Sequence, residues 1–176
     1  MARPAGIYFV PIDRWYIERA VWLIAGAVLI TATLLALFVD RRFVLLVTAT
    51  GITSIGVAFT GLCPVGNILH RFGLRGLLAD PARPRLYAMR TDFWYLERRI
   101  YVTVGVNITI GSVLALVYSP WWLAFTAFVG VAMVWFAATG FCILANVLYW
   151  IGAEPRLAPG GGVTTRSPRP ARQPTR

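Results

Sequence analysis

From Ile100 to Ala153 the chain runs fifty-four residues without one charged side chain. As a single helix that stretch would reach about 80 Å, more than twice the roughly 30 Å hydrocarbon core of a bilayer. It must therefore turn back once. Ser119-Pro120 is the natural place, because proline opposes continuation of a helix and restricts the residue before it. Tyr118, Trp121 and Trp122 flank the break, as aromatic side chains do at headgroup depth. Two more uncharged runs, Ala20–Val39 and Phe43–Leu69, meet at Asp40-Arg41-Arg42. The pattern predicts an all-α membrane protein with four transmembrane helices, near 17–39, 43–62, 98–118 and 121–142. Lone β-hairpins are the poorer solution, since their edges find no partners in lipid. Composition agrees: 58% of the residues are hydrophobic and 14% charged, against about a quarter charged in a soluble domain.

The charges that remain set the orientation. All seventeen basic residues are arginine, against seven acidic ones. Fifteen arginines fall in the N-terminal segment, the middle loop (Arg71 to Arg99) and the tail, and only Arg41 and Arg42 fall on the other side. The positive-inside bias puts both termini and the middle loop in the cytoplasm, in a multi-pass inner-membrane protein. Met1 to Tyr16 lacks the apolar core of a cleavable signal peptide. Cys63 and Cys142 then lie toward the cytoplasmic helix ends, in a reducing compartment.

Sliding the chain by 79 residues overlays Tyr8–Arg75 on Tyr87–Glu154 with eighteen identities and no gap. Asp13, Trp15, Tyr16, Glu18 and Arg19 meet Asp92, Trp94, Tyr95, Glu97 and Arg98. Gly26 meets Gly105, Gly51 meets Gly130, and Thr60-Gly61-x-Cys63 meets Thr139-Gly140-x-Cys142. Asn67 meets Asn146. Shared apolar composition does not produce polar and glycine matches at fixed offsets. The expected organisation is one two-helix unit over 1–78, a second over 79–153 and a basic tail over 154–176. Two helices per unit is an even number, so both units enter the membrane from one side. These are parallel-repeat helical hairpins, akin to a homodimer fused into one chain. Gly51 and Gly130 are then candidates for the closest approach at the pseudo-axis.

The unit resembles the YgaP-like transmembrane family, a small bacterial inner-membrane helical hairpin. An amphipathic lead into the first helix, a short turn and a glycine-rich second helix ending T-G-x-C carry the likeness. Trp122 to Cys142 bears most of it, and Phe43 to Cys63 repeats it. Many members of that family join this unit to a rhodanese domain, whose persulfide cysteine handles sulfane sulfur. No such domain fits in 176 residues already occupied by four spans, which weakens transfer of a sulfur-related role.

Few side chains offer chemistry. Cys63 precedes Pro64, which suits the first position of a new short helix and would set the thiol at a helix N-terminus, where a thiolate is favoured. Should the second helix run on through Cys63, its carbonyl ends would instead raise the thiol pKa. Cys142, followed by Ile143, has the weaker case, so Cys63 is expected to react faster with a soluble thiol reagent. The plainer account makes both cysteines packing residues. Glu18-Arg19 and Glu97-Arg98 open the first and third helices, where a carboxylate suits the helix dipole and an arginine can snorkel to phosphates. They are expected as interfacial charge pairs, either anchoring the helices or lining a cytoplasmic vestibule. Asn107 is an intramembrane amide expected to bond a neighbouring helix. A lone His70 excludes a bis-histidine haem site, and two lone cysteines make no metal site. No ionisable side chain lies mid-span, which argues against a pump.

The tail, rich in Pro, Gly and Arg, cannot bury a core and is expected to be disordered, drawn to anionic headgroups rather than nucleic acid. The leading expectation is a non-enzymatic structural or accessory protein, without cofactor or metal, within a larger membrane complex or homo-oligomer. The alternative is binding or passage of a small sulfur-containing anion or persulfide at Cys63 and Cys142.

Overall fold

The computed structural model describes residues 6–157. Six α-helices follow in order: α1 (Ile17–Phe38), α2 (Val44–Thr60), α3 (Pro64–Arg71), α4 (Leu96–Val117), α5 (Trp122–Thr139) and α6 (Ile143–Trp150). The described residues contain no strand, only three isolated bridges. Four helical stretches, 17–38, 41–60, 96–117 and 122–139, are long and apolar enough to cross a membrane. The first turn falls where the arginines predict it. Asp40 Oδ1 accepts from the Arg42 N–H at 2.8 Å and starts a short 3₁₀ turn, Arg41–Phe43, that leads into α2. Ser119-Pro120 makes the second.

The second helix of each unit ends earlier than the hydropathy predicts. α2 stops at Gly61 (φ 75°) and α5 at Gly140 (φ 74°), both left-handed, a conformation that glycine adopts without a Cβ penalty. After a three-residue link a fresh helix begins in each unit. Pro64 opens α3 as a first-turn residue whose missing N–H is no loss there, while α6 forms at the matching position without a proline.

Packing crosses between the units. α1 lies chiefly against α5, and α2 against α4, with weaker contact inside each hairpin. Close approach of backbones fixes these pairs. A Cβ on Gly26 would sit 2.8 Å from the Gly130 carbonyl oxygen, and one on Gly105 2.7 Å from that of Gly51. Gly51 and Gly130 therefore each meet a glycine of the other unit, not each other as the sequence suggested. Hydroxyl pairs join the same helices: Thr33 with Thr126 at 3.2 Å, and Thr48 donating to Ser112 at 2.9 Å. The main core sits at the loop end of the bundle, around Tyr8, Tyr16, Trp22, Tyr87, Tyr95 and Tyr101. The chain after α6 reaches it as well: Leu157 is buried in it and the Leu96 N–H donates to the Glu154 carbonyl at 2.8 Å. The rest of the basic tail, from 158 on, lies outside the described residues.

Candidate functional site

The buried polar groups gather at that loop end. Glu18, in the first turn of α1, is completely buried. Its carboxylate accepts from the backbone N–H groups of Leu77 (3.1 Å) and Leu78 (2.6 Å), and from the Tyr87 hydroxyl at 3.0 Å. Glu97, at the start of α4, is equally buried. It accepts from Arg156 N–H (2.9 Å), Leu157 N–H (2.8 Å) and the Tyr8 hydroxyl (2.8 Å). A carboxylate removed from water is tolerable only when hydrogen bonds replace its hydration, and three do so here. Burial, with a carboxylate alongside, pushes the phenols of Tyr8 and Tyr87 well above the ordinary tyrosine range, so both remain donors.

The neighbouring arginines do not pair with these carboxylates. Arg19 Nε donates to the Ala137 carbonyl at 2.7 Å, and Arg98 Nε to that of Ala58 at 2.6 Å. Each arginine thus takes up an orphan carbonyl in the last turn of a helix from the other unit, where a cation also suits the dipole. A second nitrogen of each binds two carbonyls of its own lead-in, Ile12 and Arg14 for Arg19, Thr91 and Phe93 for Arg98. Their guanidiniums stack on Trp15 and Trp94 at 4.2 and 4.0 Å from the ring centres. Both arginines are buried, so the expected snorkelling to phosphates and the expected charge pairs give way to ties with the chain's own backbone. Arg156–Asp92, at 3.0 Å, is the ion pair among the described residues.

Two residues that the repeat pairs, but that were not marked as site candidates, complete the frame. Asn67 accepts from the Tyr87 N–H at 3.0 Å and donates to its carbonyl at 2.9 Å. Asn146 does the same for Tyr8, at 2.8 and 3.2 Å. Their coincidence at the 79-residue offset was the available signal. Tyr16 and Tyr95 stand apart, with buried hydroxyls that have no hydrogen-bond partner among the described residues.

Both cysteines occupy the N-cap position of a short helix, and only the Cys63 side chain bonds there. Cys63 precedes α3, and its sulfur accepts from the Gly66 N–H at 3.3 Å, as the proline predicted. Cys142 holds the same place before α6 without that signal. Burial pushes both thiols above the ordinary cysteine range, outweighing the helix N–H groups that pull the other way. Cys63 is only 4% exposed, whereas Cys142 is half-buried, so accessibility runs opposite to the order expected from Pro64. Asn107 donates to the Thr103 carbonyl of its own helix at 2.7 Å, not to a neighbouring helix.

Four apolar helices closed at one end by an internal hydrogen-bonded frame define a polytopic membrane protein. No family model matches the chain, and no curated protein or solved structure matches it either.

Proposed function

We propose that the protein is a non-catalytic structural or accessory component of a bacterial inner membrane, related to the YgaP-like membrane unit, with both termini and the arginine-rich loop in the cytoplasm against anionic headgroups. One observation carries this reading. The buried Glu18, Glu97, Arg19 and Arg98 direct their hydrogen bonds to the chain's own backbone and tyrosines, bracing the helix ends rather than facing a substrate. The arginine asymmetry supports the orientation. A sulfur-handling role at Cys63 and Cys142 draws less support, because burial disfavours both thiolates. Native electrophoresis of mildly solubilised membranes, with mass spectrometry of the band, is the test. The expected result is an assembly heavier than the chain alone, with composition unchanged in the Cys63→Ala/Cys142→Ala variant. A chain migrating alone, or an assembly lost with the cysteines, would overturn the reading.

A further inference from the structure

α4, α5 and α6, with Trp22 of α1 and Ser54 of α2, enclose an elongated cavity of about 460 Å³. That is within the roughly 300–1,000 Å³ typical of small-molecule sites. Along α5 its wall runs from Phe125 to Phe136, about 16 Å at 1.5 Å per residue, and it continues past the helix end to Phe141 and Cys142. Phe128 and Trp135 line it and are exposed within a membrane-spanning helix, so the cavity opens toward hydrocarbon. No lining residue is charged. An anion or a phospholipid headgroup would therefore find no opposite charge in the wall.

Aromatic side chains are prominent in its wall, with Trp22, Tyr101, Phe125, Phe128, Trp135 and Phe136 among them. Asn107 is also in the wall, twelfth of the twenty-two residues of α4 and so near mid-membrane. Its single hydrogen bond leaves the carbonyl oxygen and one amide N–H without partners among the described residues. In an apolar medium such groups are costly unless something binds them. The other unit lacks both features at the corresponding positions. Val28 stands for Asn107, and Leu46, Ala49 and Gly56 stand for Phe125, Phe128 and Trp135. The cavity is therefore a departure from the repeat, not a by-product of it.

We propose that this cavity binds an isoprenoid quinone drawn from the bilayer, with the free Asn107 N–H donating to a quinone carbonyl, the ring against the aromatic wall and the tail along the slot. A plain acyl chain would fill the slot but leave Asn107 unsatisfied. A neutral lipid bearing a flat ring and a carbonyl uses the amide, the aromatic faces and the length together.

The full chain in detergent, titrated with ubiquinone-2 and followed by tryptophan emission, tests this, because Trp22 and Trp135 line the site. N-acetyltryptophanamide in the same micelles gives the collisional background. Saturable quenching beyond that background is expected. The Asn107→Val variant should weaken binding about three- to tenfold, the worth of one neutral hydrogen bond. Ala132→Phe, which fills the slot, should abolish it while size-exclusion and circular-dichroism profiles persist. Squalene, an isoprenoid with neither ring nor carbonyl, should displace the quinone poorly. Quenching that only matches the background, an unchanged midpoint in Asn107→Val, or equal displacement by squalene would overturn the proposal. Asn107→Val and the competition decide the matter even should Ala132→Phe fail to fold.

Discussion

Tyr8 and Tyr16 are both buried, yet their hydroxyls are in opposite situations. The Tyr8 hydroxyl supplies one of the three hydrogen bonds that make Glu97 tolerable, as the Tyr87 hydroxyl does for Glu18. Those of Tyr16 and Tyr95 have no partner among the described residues. Removing a donor from a buried carboxylate leaves part of its desolvation uncompensated, whereas removing an unpartnered hydroxyl removes only a cost. Tyr8→Phe and Tyr87→Phe should each destabilise the protein by about 1–3 kcal/mol. Tyr16→Phe and Tyr95→Phe should be neutral or stabilising. Thermal unfolding of the four variants in one detergent checks the contrast, and a uniform loss in all four would refute it. The cysteines give a second residue-scale outcome. Because burial raises both thiols, labelling by a small methanethiosulfonate reagent should be slow at neutral pH and climb through and beyond the usual thiol range near ~8.5. The half-buried Cys142 should label faster than the buried Cys63. A plateau already reached near pH 7 would contradict the direction of the shift.

Among the elements, glycines at the helix crossings and glycines facing lipid make different demands. A Cβ on Gly105 would lie 2.7 Å from the Gly51 carbonyl oxygen and 2.9 Å from the Ile55 nitrogen, and backbone atoms cannot yield locally. Gly56 has open space around it. Gly105→Ala should push α4 off α2 and lower the melting temperature clearly, while Gly56→Ala should leave it unchanged or raise it through better helix propensity. Equal effects would mean that the crossing is not set by close backbone contact. Much at this scale was legible in the sequence. The four spans, the turns at Asp40-Arg41-Arg42 and Ser119-Pro120, and the new helix at Pro64 all follow from charge, proline and length. α6 was not, because Ile143 carries no start signal and the run to Ala153 is apolar throughout. The fate of Glu18 and Arg19 was hidden for a different reason. Their partners are mostly backbone atoms, and the partners of Arg19 and Glu97 include Ala137 and Tyr8, 118 and 89 residues away. Side-chain patterns do not encode a carbonyl at that separation. Nor do they encode the cavity at Asn107, which exists only once α4, α5 and α6 have packed.

Across the whole molecule the ties between the two units are reciprocal. Tyr8 bonds Glu97 while Tyr87 bonds Glu18, and Arg19 binds the Ala137 carbonyl while Arg98 binds that of Ala58. Gly26 meets Gly130 as Gly105 meets Gly51, and Val10 N–H donates to Gly140 as Met89 N–H donates to Gly61. Each member of such a pair lies 79 residues from its counterpart. Two associating copies of one unit would produce this reciprocity, in which the residues between 72 and 95 supply a connection and, through Tyr87 and Met89, two of the ties themselves. Orientation comes first: reporters fused at Arg83 and Arg41 should lie on opposite sides of the membrane, the former cytoplasmic, and a common side would undo the four-span map. The connection can then be cut. Residues 1–78 and 79–176, co-expressed as separate chains, should each insert with two spans and recover each other, because the helix-to-helix glycine contacts and the tyrosine–glutamate bonds need no covalent link. A tag on the first half should retrieve the second in near-equal amount after solubilisation. Glu97→Gln/Arg98→Ala in the second half should reduce the yield, since it weakens the acceptor for Tyr8 and deletes the donor to Ala58 together. Halves that insert but do not associate would show that the connection, and not the reciprocal contacts, holds the bundle together.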